Sequence, residues 1–171
     1  SRGLGDVYKR QTDTRVHNAR PHPGQLTVAK RIREIIAGST IQQSNIDYKK
    51  VQDPYSFRCA PQVHGAVYEA LLGMQSTIYI ELNSTTDNPL VFADAPKLSD
   101  RIVSQGNFHG EILALCADRM SLALFELGSI SERRMDQLLD SSKSGLTPFL
   151  AADSGLESGL MIVQYVAGAS L

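Results

Sequence analysis

The run from Glu111 to about Leu127, EILALCADRMSLALFEL, limits the architecture more than any other stretch of the chain. Leu113, Ala117, Met120, Leu124 and Leu127 recur at spacings of four and three, the repeat of one helix face. Ile112, Leu115, Cys116, Leu122 and Phe125 make the neighbouring faces apolar as well. A helix that is apolar nearly all round has to be enclosed by other protein. In a chain of 171 residues this predicts helix-on-helix packing continued by partner subunits. The fold class that follows is all-α, a bundle of long helices. Glu132, Arg133, Arg134 and Asp136 stand where this helix would emerge, which predicts an exposed, ion-paired end.

The rest of the chain is consistent with that class. Leu26, Ala29, Ile32, Ile35 and Ile36 predict a helix from about Gln25 to Ala37, stopped by Gly38, with Lys30, Arg31, Arg33 and Glu34 on a solvated face. Thr40 to Lys50 is polar and aperiodic, a predicted loop. Beyond Pro61 an apolar face of Val63, Ala66, Val67, Ala70, Leu71, Met74, Ile78 and Leu82 predicts a second long helix, and its continuity outweighs the β-propensity of Thr77 to Leu82. NSTTDNP is a cluster of turn formers in which Asp87 and Asn88 are expected to bond nearby backbone amides. Leu90 to Phe92 and Arg101 to Val103 read as two short strands or an irregular excursion. Leu146-Thr147-Pro148 breaks the helical pattern, and a closing helix is expected from near Ser158.

Between the two predicted helices lies Gln52 to Gly65, QDPYSFRCAPQVHG, where an amide, a carboxylate, a phenol, a guanidinium and an imidazole fall within fourteen positions. Pro54 and Pro61 deny its first part a regular helix. Asp53-Pro54 as a turn opener and Ser56 as a helix cap would explain several of these residues without chemistry. Arg58 shifts the balance, because a guanidinium beside a phenol on a bent segment can grip a carboxylate through two parallel hydrogen bonds. His64, alone on a mostly apolar helix, reads first as a satisfied core residue.

This block resembles the corresponding block of the histidine and aromatic amino acid ammonia-lyases. Four others resemble the same family in the same order: RPHPGQ at Arg20 to Gln25, ELNSTTDNPLVF from Glu81, SQGNFHGE from Ser104 and GSISERRMDQLLD from Gly128. The resemblance implies the long-helix ammonia-lyase (aspartase/fumarase-like) fold and a 4-methylidene-imidazol-5-one (MIO) electrophile made from an internal Ala-Ser-Gly. It implies that Arg58 binds the substrate carboxylate, that Gln52 hydrogen-bonds in the same pocket, that Tyr55 is catalytic in support of a principal base elsewhere, and that Phe108 packs close to substrate. NFH around His109 and the GSISERR segment resemble the histidine-specific branch more than the plant phenylalanine branch. The implied reaction is the conversion of L-histidine to urocanate and ammonia, by identical subunits in a homotetramer. A phenylalanine or tyrosine ammonia-lyase and an aminomutase using the same electrophile stay open.

Neither the Ala-Ser-Gly tripeptide nor the family's downstream glutamate block occurs in the chain. The expectation is therefore a central segment, residues 12–171, truncated at both ends and inactive alone, preceded by a non-native leader at 1–11. With 17 basic and 18 acidic residues and a formal charge of −1, nothing predicts a nucleic-acid surface. No apolar run approaches membrane-spanning length and no secretory leader is visible, so no membrane partner and a cytoplasmic protein are expected. Cys59 and Cys116 lack metal-type spacing and read as free buried thiols. His17, His22, His64 and His109 lack ligand spacing too, so no metal site is expected. A reading of another class, a non-catalytic helical oligomerisation module, explains the apolar helix but gives no reason for Gln52, Tyr55 and Arg58 to stand together.

Overall fold

The computed structural model describes residues 11–40 and 52–171. Among them the helices are α1 (Thr14–Asn18), α2 (Pro23–Ile36), α3 (Tyr55–Arg58), α4 (Ala60–Leu82), α5 (Glu111–Leu139), α6 (Ser141–Ser144) and α7 (Met161–Ala169). The sheet is a hairpin of two-residue strands, β1 (Leu90–Val91) and β2 (Ile102–Val103), antiparallel with Leu90 opposite Val103. The chain is thus helical, as expected, and Thr77 to Leu82 finishes a helix and not a strand. All but the first residue of the predicted Thr40 to Lys50 loop lies outside the described residues. The closing helix starts at Met161, three residues later than Ser158, because Gly159 takes a positive φ of 51° and Leu160 N–H donates to the Phe149 carbonyl at 2.8 Å.

The chain divides into two compact units, one made of the described residues up to Glu69 with Ala123–Leu171, the other of Ala70–Leu122. In the first, α2 opens on Pro23, whose missing N–H costs nothing at a helix start. The next amide, Gly24 N–H, is satisfied from another helix: it donates to Glu69 Oε1 of α4 at 2.7 Å. At this point the two backbones nearly touch. A Cβ on Gly65 would fall 2.6 Å from Gln25 Cα, and one on Gly24 would fall 2.8 Å from Glu69 Cγ. Only glycine fits either position. Nearby His17 is fully buried, its Nε2–H donating to the Gln11 carbonyl at 2.8 Å while Nδ1 accepts from Gln25 Nε2 at 2.9 Å. The buried apolar residues Ala29, Val67, Ile130, Leu139 and Ala151 all belong to this unit.

The end of α5 departs from expectation. Glu132 is only 4% exposed and pairs with Arg133, Arg134 is half-buried, and Asp136 takes Lys143 at 2.7 Å and Gln164 of α7 at 3.3 Å. The helix does not emerge at Glu132; it runs on to a buried Leu139. Arg134 and Asp136 hold neighbouring elements and Glu132 is buried, while Arg133 alone of the four is exposed, ion-paired to Glu132 as expected. Asp140 then caps α6 by accepting from Ser142 N–H at 2.9 Å.

In the second unit, Asn83 and Ser84 bond back to the Tyr79 and Ile80 carbonyls at 2.7 Å each and close α4. Asn88 Oδ1 accepts from Gln105 N–H at 2.8 Å and Ser104 Oγ at 3.2 Å, while Gln105 Nε2 donates to the Asp87 carbonyl at 2.6 Å. The two ends of the excursion are thereby tied together, with the hairpin between them. Leu82, Leu98, Leu115 and Leu122 remain exposed here.

Candidate active site

Pro54 sets the geometry of the Gln52 to Gly65 stretch. At φ −55° and ψ 149° it precedes α3, and its carbonyl accepts from Phe57 and Arg58 N–H at 3.0 and 2.9 Å. Cys59, at φ −99° and ψ 12°, ends that single turn, and α4 follows at once with Pro61 in its opening turn, where the absent N–H is harmless. Because α3 has one turn, Tyr55 and Arg58 stand three residues apart on one side of it, and Gln52 lies three residues before Tyr55. Arg58 Nη1 donates to Gln52 Oε1. The acceptor is the amide oxygen, and among the described residues nothing accepts from the Gln52 amide nitrogen. The Tyr55 hydroxyl has no hydrogen-bond partner among the described residues and Tyr55 is 68% exposed. Asp53 accepts from Gln11 Nε2 and fixes the approach to the turn.

Two of the four expected site residues, Gln52 and Arg58, are therefore hydrogen-bonded, and Tyr55 lies on the same turn as Arg58. Phe108 belongs to the second unit, at the entry to α5, and is 61% exposed; its loop is held by the Asn88 and Gln105 bonds, with Gln105 Oε1 accepting from Asn107 N–H. Ser56 does not cap a helix. It sits inside α3, 6% exposed, with an Oγ that has no partner among the described residues. Cys59 and Cys116 are half-buried free thiols.

The residue missed in the sequence is Arg134. From α5 it reaches α3, donating through Nε at 3.3 Å and Nη2 at 3.0 Å to the Ser56 carbonyl. Nη2 also lies 3.0 Å from His64 Nε2 on α4, and the guanidinium carbon stands 5.8 Å from the centre of the Phe57 ring. A guanidinium only donates, so His64 Nε2 must accept, which fixes a neutral imidazole with its proton on Nδ1. Burial, and then the Arg134 charge, hold His64 below the ordinary imidazole range. His64 is a satisfied, half-buried histidine, as its place on an apolar helix suggested.

A family model for aromatic amino acid lyases matches residues 6–171. The chain belongs to this family. It is 50% identical over 154 residues to a histidine ammonia-lyase of Myxococcus xanthus, covering 90% of this chain and 30% of that protein. It is 53% identical over 161 residues to a probable histidine ammonia-lyase of Halobacterium salinarum, covering 89% and 31%. Among solved structures it resembles the histidine ammonia-lyase of Trypanosoma cruzi, with a TM-score of 0.79 and 39% identity over 97% of this chain and 32% of that one. It also resembles a phenylalanine aminomutase of Pantoea agglomerans, with a TM-score of 0.79 and 31% identity over 97% and 36%. The chain thus spans about a third of the length of the curated relatives it matches. The helical fold expected from the sequence is the fold of these two enzymes over the matched segment.

Proposed function

We propose that residues 12–171 are the central segment of a histidine ammonia-lyase subunit, which eliminates ammonia from L-histidine to give urocanate. The observation that carries this reading is the set of Gln52, Tyr55 and Arg58 around one turn, with Arg58 held by Gln52, in a chain half identical to proteins named histidine ammonia-lyase. Elimination from an amino acid is slow because the β-proton is weakly acidic and the amine leaves poorly, so substrate must be fixed before any proton moves. Arg58 does the fixing. Its planar fork binds the α-carboxylate through two N–H donors, and the bond to Gln52 Oε1 restricts the guanidinium beforehand.

Among the described residues neither the Tyr55 hydroxyl nor the Gln52 amide nitrogen has a hydrogen-bond partner. Those donors fit an MIO group, whose ring carbonyl accepts hydrogen bonds; Tyr55 and Gln52 are the residues of this chain that would hold it. Formed from the subunit's own Ala-Ser-Gly, that group would supply the electron-poor carbon for the substrate. Tyr55 orients it and exchanges a proton at its own Oη. Phe108 gives an apolar wall for the substrate ring. The apolar side chains left open on α5, Leu115, Leu122 and Phe125 among them, are covered by identical subunits of a homotetramer, in a protein that works in the cytoplasm.

The test is a substrate panel on the complete subunit: L-histidine, L-phenylalanine and L-tyrosine in parallel, followed by the ultraviolet absorbance of the conjugated product. Urocanate is the expected product. Cinnamate or coumarate would move the assignment to the aromatic branch. Turnover of an aromatic substrate to its β-isomer would favour an aminomutase, the second reading, which rests on the likeness to the Pantoea enzyme.

A further inference from the structure

We infer that Arg134 is a positioning residue for the carboxylate clamp, a latch that fixes α3 and with it the orientation of Tyr55 and Arg58. The inference rests on the lyase reading of those two residues and on geometry of its own. A four-residue helix makes too few internal bonds to hold itself, since the cost of forming a helical turn is recovered only over several further residues. In α3 the backbone ties are Phe57 and Arg58 N–H to the Pro54 carbonyl and Cys59 N–H to the Tyr55 carbonyl. What holds the turn in place comes from elsewhere in sequence. Arg134 grips the carbonyl of Ser56, the residue between Tyr55 and Phe57, through two of its nitrogens, and lies against Phe57. The same Nη2 also donates to His64 Nε2, six residues beyond Arg58 on α4.

One side chain therefore joins three helices around the turn that carries the clamp, and its planar fork is the feature a lysine lacks. The contacts are charge-assisted and partly buried, the class of hydrogen bond whose loss is felt most. The hydrogen bonds of Arg134 go to the Ser56 carbonyl and His64 and not to the Tyr55 or Arg58 side chain, so its action on substrate runs through the backbone of α3. The unpartnered Ser56 Oγ sits at the same place and offers no substitute anchor.

The experiment is a double-mutant cycle in the complete subunit, with L-histidine as substrate and hydrogen exchange of the peptide covering residues 52–60 as a second readout. Arg134→Gln is expected to raise KM about tenfold or more with a smaller change in kcat. In an Arg58→Ala background the same substitution should add less than about twofold, because the residue it acts through is gone. Arg134→Lys, which keeps the charge on a single donor nitrogen but loses the planar fork, should fall between wild type and Arg134→Gln. The Arg58 and Cys59 amides should exchange faster in Arg134→Gln while those of α2 do not. An unchanged KM, a fully additive cycle, or unchanged exchange across 52–60 would overturn the inference. If the wild-type subunit turns over no amino acid, the lyase reading falls, and the exchange measurement still decides whether Arg134 holds α3.

Discussion

The two ends of α5 teach opposite lessons about one helix. Its first half, rich in leucine, is the part a sequence reader buries, yet Ile112, Leu115 and Leu122 are more than half exposed. Its second half carries Glu132, Arg133, Arg134 and Asp136, which read as a solvated end, yet Ile130, Glu132 and Leu139 are buried. The charged half is completed inside this chain, by Ser56, His64, Lys143 and Gln164. The apolar half has no such cover among the described residues. Apolarity reports that a surface needs a partner, and says nothing about whether the partner lies in the same chain. Charge on a helix reports solvent only when no complementary group is delivered by a distant part of the sequence.

The difference can be broken by substitution. The largest effect is expected at the glycine contact of the first unit: Gly65→Ala drives a Cβ into the Gln25 backbone, which cannot give way as a side chain would, and should destabilise by about 2 kcal/mol or more. Gly110→Ala, at the head of the exposed half of α5 where nothing lies within 4 Å, should stay within about 0.5 kcal/mol. Urea midpoints of the two variants measure this, and equal shifts would dissolve the contrast. Next comes the cap supplied across helices: Glu69→Ala strips Gly24 N–H of its acceptor and should cost about 1 kcal/mol, with Glu69→Gln recovering part of it.

Leu122→Ser acts on the other side of the comparison. Leu122 is 71% exposed, so the substitution should leave the unfolding midpoint of dissociated subunits nearly untouched while reducing the assembled fraction seen by sedimentation. Smallest is the pH effect at His64. Burial and Arg134 lower its pKa from the ordinary 6.5, so the unfolded chain binds the proton more readily than the folded one. The stability this contributes is complete above pH 6.5 and is lost as pH falls through the lowered folded value. His64→Gln should flatten that part of a stability–pH curve; an unchanged slope would show that the imidazole is not held neutral.

Much of the fold was legible because its signals are local. The repeats of α2, α4 and α5 are carried by neighbours three and four residues apart, and the block from Gln52 to Gly65 announced itself through two prolines and a dense set of polar groups. Arg58 was legible as a guanidinium beside a phenol on a bent segment, whereas Gln52 and Tyr55 were singled out through the family resemblance of the block. Arg134 was not legible, since its partners lie 70 and 78 positions away and its own neighbours are charged. The Gly24 and Gly65 approach was likewise hidden, because a glycine in a helix gives no sign of what passes over it. The helix start at Met161 depended on a positive φ at Gly159 and a bond from the next residue to Phe149, again a contact outside any local window. The role of Phe108 rests on family likeness alone, for the residue itself is an exposed aromatic at a helix entry.

The most direct test of the clamp is kcat/KM for L-histidine in the complete subunit with Arg58 intact and with Arg58→Ala. On the proposed reading, removing the guanidinium would leave the substrate carboxylate without its forked partner, and kcat/KM should fall by about thirtyfold or more, the equivalent of about 2 kcal/mol. The loss should appear first in KM. A variant with unaltered kinetics would contradict the account, because the one charged group that α3 presents beside Gln52 and Tyr55 would then have no part in holding substrate.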